Sequence, residues 1–156
     1  MPQVTGLGHV GLFVKDIKKM VEFYSGFLGL TVTDRHPADK IVFLSAQPDT
    51  EHHELALAPS ETRHTDPQQL SFRVGSLADL REFYAQIRER GFTVDRCVSH
   101  GNAFGCYFLD PEDNLVEVYW RTEKFWPQPY TQHIDLTLSE QELLALLDEM
   151  PEVAAH

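Results

Sequence analysis

The stretch HVGLFVKDIKKMVEFY at residues 9–24 returns sixty positions later as QLSFRVGSLADLREFY at residues 69–84. At this offset the apolar positions coincide, and both copies end in the triplet Glu-Phe-Tyr. Beyond the triplet the match resumes after a slip of two residues, where GLTV at 29–32 meets GFTV at 91–94. Internal similarity at a fixed offset is typical of a duplicated structural unit. The sequence therefore predicts two copies of one supersecondary element.

Each copy has the pattern of a strand, a helix and three further strands. Val10, Leu12 and Val14 alternate along the chain, which is the period of a strand. Apolar residues then recur at helical spacing until Gly29, and Gly91 ends the second helix in the same way. The further strands are predicted at 30–34, 41–46 and 52–58 in the first copy, and at 92–96, 104–109 and 114–120 in the second. We therefore expect two βαβββ units.

A single four-stranded sheet with one helix leaves its second face uncovered. Two such units bury that face if they pair into a curved, barrel-like mixed sheet around a cleft. We therefore expect an α+β fold whose domain covers residues 1–122, with units at about 5–60 and 67–122. Side chains that point into the cleft are the candidates for function.

The C-terminal extension, residues 123–156, has a different character. Its first part is rich in proline and aromatic residues, which predicts an extended segment. Ser139 and Glu142 then form the pattern of a capping box, which predicts a short helix that Pro151 closes. The helix is expected to dock on the domain or on a partner subunit, or to act as a lid over the cleft.

The charge balance excludes several classes of partner. The chain has 13 Lys and Arg residues against 24 Asp and Glu residues, a net charge of -11, and no basic cluster. Nucleic acids and anionic membranes bind clustered cations, so neither partner is expected. No apolar run approaches the roughly 18 residues of a membrane span. The N-terminus lacks the pattern of a signal peptide, so a cytoplasmic location is predicted.

Polar side chains of four strands converge if the repeat reflects pseudo-twofold symmetry. His9 and Gln69 occupy equivalent positions on the first strand of each unit. Glu117 lies among aliphatic residues on the last strand of the second unit, where an unpaired buried carboxylate is costly. The equivalent position in the first unit is His53 or Glu54, and strand alternation prevents both from facing the cleft. Histidine with a carboxylate is typical of a first-row metal site.

Three further residues stand near the predicted cleft, although on their surroundings alone a solvated turn is the ordinary interpretation of His100 and a core position that of Tyr107. His100 lies in the polar loop SHGN before a predicted strand, and Tyr107 lies on the cleft-facing side of that strand. Arg73 shares a strand face with Gln69 and Ser71, so it either binds an anionic group of a substrate or pairs with a carboxylate. The two cysteines are too few for a disulfide framework.

These motifs resemble those of a known superfamily. The repeated units, with GHVGLFV at the start, VEFYSGFLGL in the first helix and YFLDPEDNLVEVYW at the end, resemble the vicinal oxygen chelate superfamily of glyoxalases, bleomycin resistance proteins and extradiol dioxygenases. HHELAL and SHGNAF most resemble the single-domain type I extradiol dioxygenases. That resemblance implies an oxidoreductase that holds iron(II) with two histidines and a carboxylate and cleaves a catechol ring with dioxygen.

The resemblance also implies roles for individual residues. His9 matches the first iron-binding histidine, and Glu117 matches the carboxylate. His53 matches a pocket histidine behind the metal ligands, His100 the acid–base histidine, and Tyr107 the tyrosine that contacts substrate.

Gln69 departs from the family pattern, because the second iron-binding histidine is expected at this position. An amide oxygen is a weaker and harder ligand than imidazole. The predicted metal set is therefore His9, Gln69 and Glu117, with Fe(II) as the expected ion and Mn, Ni or Zn as alternatives.

Three functions remain open from the sequence. The first is a dioxygenase acting on a small aromatic diol. The second is a glyoxalase- or epimerase-like lyase or isomerase, which would need Glu54 rather than His53 to face the cleft. The third is a metal-free resistance-type protein that binds a small molecule. A homodimer is expected for each of them.

Overall fold

The computed structural model describes residues 9–60, 69–122, 124, 126 and 130–149. The chain divides into two compact units, Met1–Asp66 and Pro67–His156. Among the described residues the strands pair into two separate mixed sheets, one in each unit. The predicted α+β class is confirmed. No helix in these ranges is long and apolar enough to cross a membrane.

The first unit consists of four strands and one continuous helical segment, whose first part is α-helical and whose second part is π-helical. Its elements are β1 (Val10–Val14), α1 (Ile17–Val21), a π-helical segment (Glu22–Phe27), β2 (Thr31–Arg35), β3 (Val42–Ser45) and β4 (Leu55–Pro59). The strand order is β1-β4-β3-β2. Strands β1 and β4 are parallel, and the other pairs are antiparallel. The predicted βαβββ order is therefore present.

The second unit repeats this order and extends it. Its elements are β5 (Gln69–Arg73), α2 (Leu77–Glu89), β6 (Val94–Ser99), β7 (Ala103–Leu109), β8 (Leu115–Arg121), β9 (Gln132–His133) and α3 (Glu140–Asp148). The strand order is β5-β8-β7-β6-β9, with β5 and β8 parallel. Helix α2 packs against β7 and β8, and buries Leu77, Leu80 and Ile87. The opposite face of this sheet remains available for polar side chains.

Local sequence signals explain where the two equivalent helices begin and end. The Asp16 side chain accepts a hydrogen bond from the Lys19 N–H at 3.0 Å, and Ser76 caps α2 in the same way. Gly29 and Gly91 adopt φ values of 82° and 75°, which side chains other than glycine rarely tolerate. In each helix a single capping residue therefore explains the start, and a single glycine explains the end.

Strand boundaries are where the structure differs from the sequence prediction. Residues 52–54 precede β4 rather than lying in it, so alternation could not decide which of them faces inward. Strand β6 begins two residues later than predicted and contains an irregularity between Val94 and Arg96. Strand β9, which pairs with β6, was not predicted at all, because two residues carry no periodic pattern.

The C-terminal extension contributes to the second unit. The predicted capping box is present, with Ser139 and Glu142 each binding the other's backbone N–H. Leu143 and Leu147 are buried. The Lys124 ammonium donates to the Leu147 carbonyl at 2.7 Å, which satisfies an acceptor in the last turn of α3. The boundary at residue 122 stays a prediction, and the predicted closing residue Pro151 lies outside the described residues.

Candidate functional site

One face of the second sheet carries a row of polar side chains. Ser71 on β5 pairs with Glu117 on β8, and Glu117 pairs with Tyr107 on β7. Tyr107 in turn pairs with Arg96 on β6. Directly paired residues point to the same face of a sheet, so these four side chains stand side by side across four strands. Two of them, Glu117 and Tyr107, are sequence-predicted site residues.

Glu117 is a buried carboxylate held by a short hydrogen bond. It is 7% exposed, and its Oε2 accepts from the Ser71 hydroxyl at 2.6 Å. Gln69 Nε2 donates to the same Ser71 oxygen at 3.1 Å. Gln69 and Glu117, both predicted as metal ligands, are thus linked through Ser71. Among the described residues Glu117 forms no ion pair with a cationic side chain.

Gly105 leaves the space that the Glu117 carboxylate occupies. A Cβ atom at position 105 would lie 2.6 Å from Glu117 Oε1 and 3.3 Å from Tyr107 Cε2. Non-bonded carbon and oxygen atoms do not approach this closely, so no other residue fits without moving the carboxylate. A glycine inside a strand is typical of such a close approach.

Hydrogen bonds fix the tautomer of His100. Its Nδ1 lies 2.8 Å from the Tyr130 carbonyl oxygen, and its Nε2 lies 3.1 Å from the Tyr107 hydroxyl. A carbonyl oxygen only accepts, so Nδ1 must carry the proton. In the neutral ring Nε2 is then an acceptor. The Tyr107 hydroxyl lies within hydrogen-bond reach of both this nitrogen and the Glu117 carboxylate, and it can donate its one proton to either of them. His100 therefore presents a basic nitrogen next to a phenol.

Tyr107 is held in its neutral form. Burial raises its pKa above the usual value, and the neighbouring Glu117 carboxylate raises that pKa further. The guanidinium of Arg96 lies over the ring at 4.0 Å from its centroid and lowers the pKa by a smaller amount. At neutral pH the Tyr107 hydroxyl therefore remains a hydrogen-bond donor.

These side chains line an open pocket within the second unit. Its volume is about 540 Å³, which is within the usual range for small-molecule sites. The lining residues are Ser71, His100, Asn102, Ala103, Tyr107, Glu117, Tyr119 and Arg121. The pocket thus brings together the buried Glu117 carboxylate, the pair of His100 and Tyr107, and the cationic side chain of Arg121.

The first unit contains a cluster of histidines. The rings of His9 and His53 lie 4.3 Å apart, and the Nδ1 atoms of His52 and His53 lie 2.9 Å apart. Partial burial lowers the pKa of His53, and the charges of His9 and His52 lower it further. His53 therefore remains mostly neutral at pH 7.

Glu54 has a different environment from His53. Its Oε2 accepts hydrogen bonds from the Ala46 N–H at 2.7 Å and from the Ser45 hydroxyl at 3.2 Å. These contacts tie the carboxylate to the end of β3. Of the two residues that the sequence left open, His53 is the one whose ring contacts His9.

The described side chains supply only part of what a divalent metal ion needs. Within the described ranges no group of three or more His, Cys, Asp or Glu side chains is arranged to hold a metal. The predicted set contains two residues of these types, His9 and Glu117, and the amide Gln69. In the second unit the buried Glu117 carboxylate accepts from the Ser71 hydroxyl and forms no ion pair with a described cationic side chain, an environment that suits one bound cation.

Sequence reasoning missed three features of the pocket. Ser71 was noted only as a neighbour of Gln69, because a single serine on a strand carries no distinctive pattern. Gly105 was detectable as a glycine interrupting the strand AFGCYFL. Arg121 follows Glu117 at even spacing on β8, and that alternation was the available signal.

Comparisons with known proteins agree with this architecture. Biphenyl-2,3-diol 1,2-dioxygenase 3 of Rhodococcus globerulus is 32% identical over 120 residues, which cover 72% of this chain and 61% of that protein. The manganese-dependent 2,3-dihydroxybiphenyl 1,2-dioxygenase of Geobacillus genomosp. 3 is 27% identical over 125 residues, 78% of this chain and 38% of that protein. The chain thus spans less than two thirds of the length of either relative.

A solved structure supports the fold independently. Lactoylglutathione lyase from Agrobacterium tumefaciens superposes with a TM-score of 0.61 at 17% identity, and the match covers 76% of this chain and 96% of that chain. Residues 6–118 match the family model of the Glyoxalase/Bleomycin resistance protein/Dioxygenase superfamily. With that match covering both repeats and the polar row of the second sheet, the chain belongs to the glyoxalase, bleomycin resistance protein and dioxygenase superfamily.

Proposed function

We propose that the chain is a metal-dependent enzyme that opens the ring of a catechol-like aromatic diol and inserts both atoms of dioxygen into the product. The buried Glu117 carboxylate at the pocket wall, without a cationic partner among the described residues, carries this proposal. Relatives named as dioxygenases of dihydroxylated biphenyl support the choice of substrate class.

Glu117 and Gln69 are proposed as metal ligands in the second unit. Ser71 orients Glu117 by donating to Oε2, and Gln69 lies within reach of the same hydroxyl. A side-chain partner that fixes a ligand's orientation is a common feature of metal sites. His9 is the third ligand that the sequence repeat supports. A bound divalent ion, Fe(II) or alternatively Mn, Ni or Zn, would supply Lewis acidity that lowers the pKa of a diol hydroxyl.

His100 is proposed as the proton acceptor. With Nδ1 bound to the Tyr130 carbonyl, the Nε2 lone pair is directed toward the pocket-lining Tyr107 hydroxyl. A hydroxyl of an entering diol competes for that lone pair and can transfer its proton to it. Tyr107, kept neutral by its surroundings, then donates a hydrogen bond that orients the ring.

The first unit supplies His53 in this proposal. Its ring contacts His9 and its lowered pKa keeps it neutral, which suits a hydrogen-bonding role toward dioxygen. The lyase alternative needs Glu54 as an inward base, and the contacts of Glu54 with Ser45 and Ala46 favour a structural role instead. These contacts of Glu54 therefore favour the dioxygenase over the lyase as the proposed function.

Metal reconstitution tests the proposal. Protein purified under anaerobic conditions is loaded with Fe(II), Mn(II), Ni(II) or Zn(II), and each sample is assayed for oxygen uptake on a panel of catechols. We expect one ion per chain and oxygen uptake with Fe(II) or Mn(II). Glu117→Gln keeps the size of the side chain but removes its charge, so metal binding and oxygen uptake should both be lost.

Glu82→Gln is the matched control, because Glu82 lies on the exposed side of α2 and binds only Gln86 in the described structure. This variant should retain metal binding and activity. Metal binding without oxygen uptake on any diol would overturn the dioxygenase proposal and favour the lyase class. Absence of stoichiometric binding by the wild type would overturn both enzymes and favour a metal-free binding protein.

A further inference from the structure

The pocket face of the second sheet has a charge opposite to that of the chain. The register of β5 to β8, all of which the structure describes, puts Arg73, Arg96 and Arg121 on this face. Glu117 is the only acidic residue at the same register positions of these strands. The chain as a whole has a net charge of -11. A cationic face on an acidic protein attracts anions to one place.

The three arginines are not equivalent. Arg96 is engaged, since its guanidinium stacks on Tyr107 and pairs with Asp95. Arg121 lines the pocket and forms no ion pair among the described residues. Arg73 lies on the same face but outside the pocket lining. Arg121 is therefore the guanidinium that a pocket ligand can reach.

Arg121 and Glu117 are separated along the pocket wall. They lie four residues apart on β8, so their Cα atoms are separated by about 13 Å along the strand. Tyr119, which also lines the pocket, stands between them on the same face. A ring that is bound at its diol near Glu117 would direct a substituent on its opposite edge past Tyr119 toward Arg121.

We propose that the part of this pocket beside Arg121 binds a carboxylate, and that the substrate is an aromatic diol carrying a short carboxylate side chain. The inference rests on the proposed function for the diol, but the carboxylate site itself depends only on residues of the second unit. Guanidinium binds carboxylate through two parallel hydrogen bonds, which gives orientation as well as affinity.

Two kinds of probe separate the inference from the proposed function. Phenylacetate has the carboxylate without the diol, and its dissociation constant is measured by calorimetry on metal-free protein. The Fe(II)-loaded protein is assayed with 3,4-dihydroxyphenylacetate and with 4-methylcatechol, which differ in the carboxylate. We expect Arg121→Gln to weaken phenylacetate binding and to raise KM for the anionic diol, each about tenfold, with KM for 4-methylcatechol unchanged.

Control variants address charge and folding. Arg35→Gln removes the same charge from β2 of the first unit and should change neither constant, so it accounts for general electrostatic attraction. Arg121→Lys keeps the charge without the planar fork, and should retain part of the affinity if the variant folds as the wild type does.

Equal effects of Arg121→Gln and Arg35→Gln, or a wild type that prefers 4-methylcatechol, would overturn the carboxylate site and leave the diol chemistry intact. Phenylacetate binding that is lost in Arg121→Gln, together with no turnover of any diol, would support the site and overturn the proposed function. Binding of phenylacetate that is unaffected in both Arg121 variants would also overturn the site.

Discussion

At the scale of single residues, Gly105 makes the most direct prediction about the pocket. In Gly105→Ala the added methyl group would lie 2.6 Å from Glu117 Oε1, so the carboxylate must rotate away from its position beside Ser71. We expect metal affinity to fall at least about tenfold, as mutation of groups that orient metal ligands typically causes. Calorimetric titration with Mn(II) measures the loss.

Gly11→Ala is the matched control for that experiment. Gly11 is also a strand glycine, and a Cβ atom there would have nothing within 4 Å. It should bind metal as the wild type does. If Gly105→Ala bound metal equally well, the Glu117 carboxylate would not be a ligand that depends on the position observed here.

The raised pKa of Tyr107 leads us to expect that the free energy of unfolding changes with pH in the alkaline range. Its pKa in the folded protein is raised above the usual 10.0 by burial and by Glu117. Above pH 10 the unfolded chain releases this proton while the folded protein keeps it, so the folded state loses stability as pH rises. The free energy of unfolding, from urea titrations between pH 8 and 11, should therefore fall less steeply in Tyr107→Phe.

Tyr130→Phe serves as the control, since the Tyr130 hydroxyl is bound to the exposed Gln132. Its stability profile should run parallel to that of the wild type. The expected stability difference between wild type and Tyr107→Phe is constant up to about pH 9 and decreases above pH 10. A difference that stays constant to pH 11 would contradict a raised Tyr107 pKa.

How far the sequence predicts these residues depends on the kind of signal. The repeat equated His9 with Gln69, and the structure links Gln69 to Glu117 through a hydroxyl that no pattern singled out. The choice between His53 and Glu54 depended on strand alternation, yet both residues precede β4. The alternation of side chains between the two faces of a sheet applies only within a strand. Only the side-chain contacts therefore distinguish the two residues.

At the scale of elements, the two-residue slip in the repeat has a structural cause. The first unit has five α-helical residues followed by six π-helical residues, whereas α2 has thirteen residues. The first helical segment is thus two residues shorter than its counterpart. Periodicity predicted the helix and its glycine end, but π-helical winding changes the number of residues per turn and leaves no distinct apolar pattern.

Helix α3 gives a prediction about an element that the sequence did define. Ser139→Ala removes the acceptor for the Glu142 N–H and the start of the capping box. We expect the free energy of unfolding to fall by about 1 kcal/mol, the usual cost of losing a serine N-cap. Gln141→Ala, at an exposed position of the same helix, should change stability by less than about 0.5 kcal/mol. Equal effects in urea titrations would show that the cap does not stabilise the folded protein.

At the scale of the whole molecule, the sequence predicted two units and their internal order because duplication is visible in the order of residues. Long-range assembly is less accessible. The C-terminal extension was expected to dock on the domain or on a partner, and its described part joins the second unit through the pairing of β9 with β6. The predicted homodimer stays a prediction, since no repeat or motif in the chain specifies a partner surface.

The proposed ligand set predicts that metal binding stabilises the folded protein. If one ion is bound by His9 together with Gln69 and Glu117, then Mn(II) at 100 times its dissociation constant should add about 2.7 kcal/mol to stability. For a chain of this size that corresponds to a rise in Tm of roughly 5–10 °C. His9→Ala and Glu117→Gln should each abolish the rise, because each removes a ligand from a different unit.

His133→Ala is the control for this prediction, because His133 is an exposed histidine on β9. It should keep the full rise in Tm, which accounts for weak binding of metal to surface histidines. A rise that persists in His9→Ala but is lost in Glu117→Gln would mean that the second unit binds the ion alone. The pseudo-twofold symmetry of the sequence would then describe the ancestry of the fold but not the ligands of its metal, and the first unit's histidines would need another role.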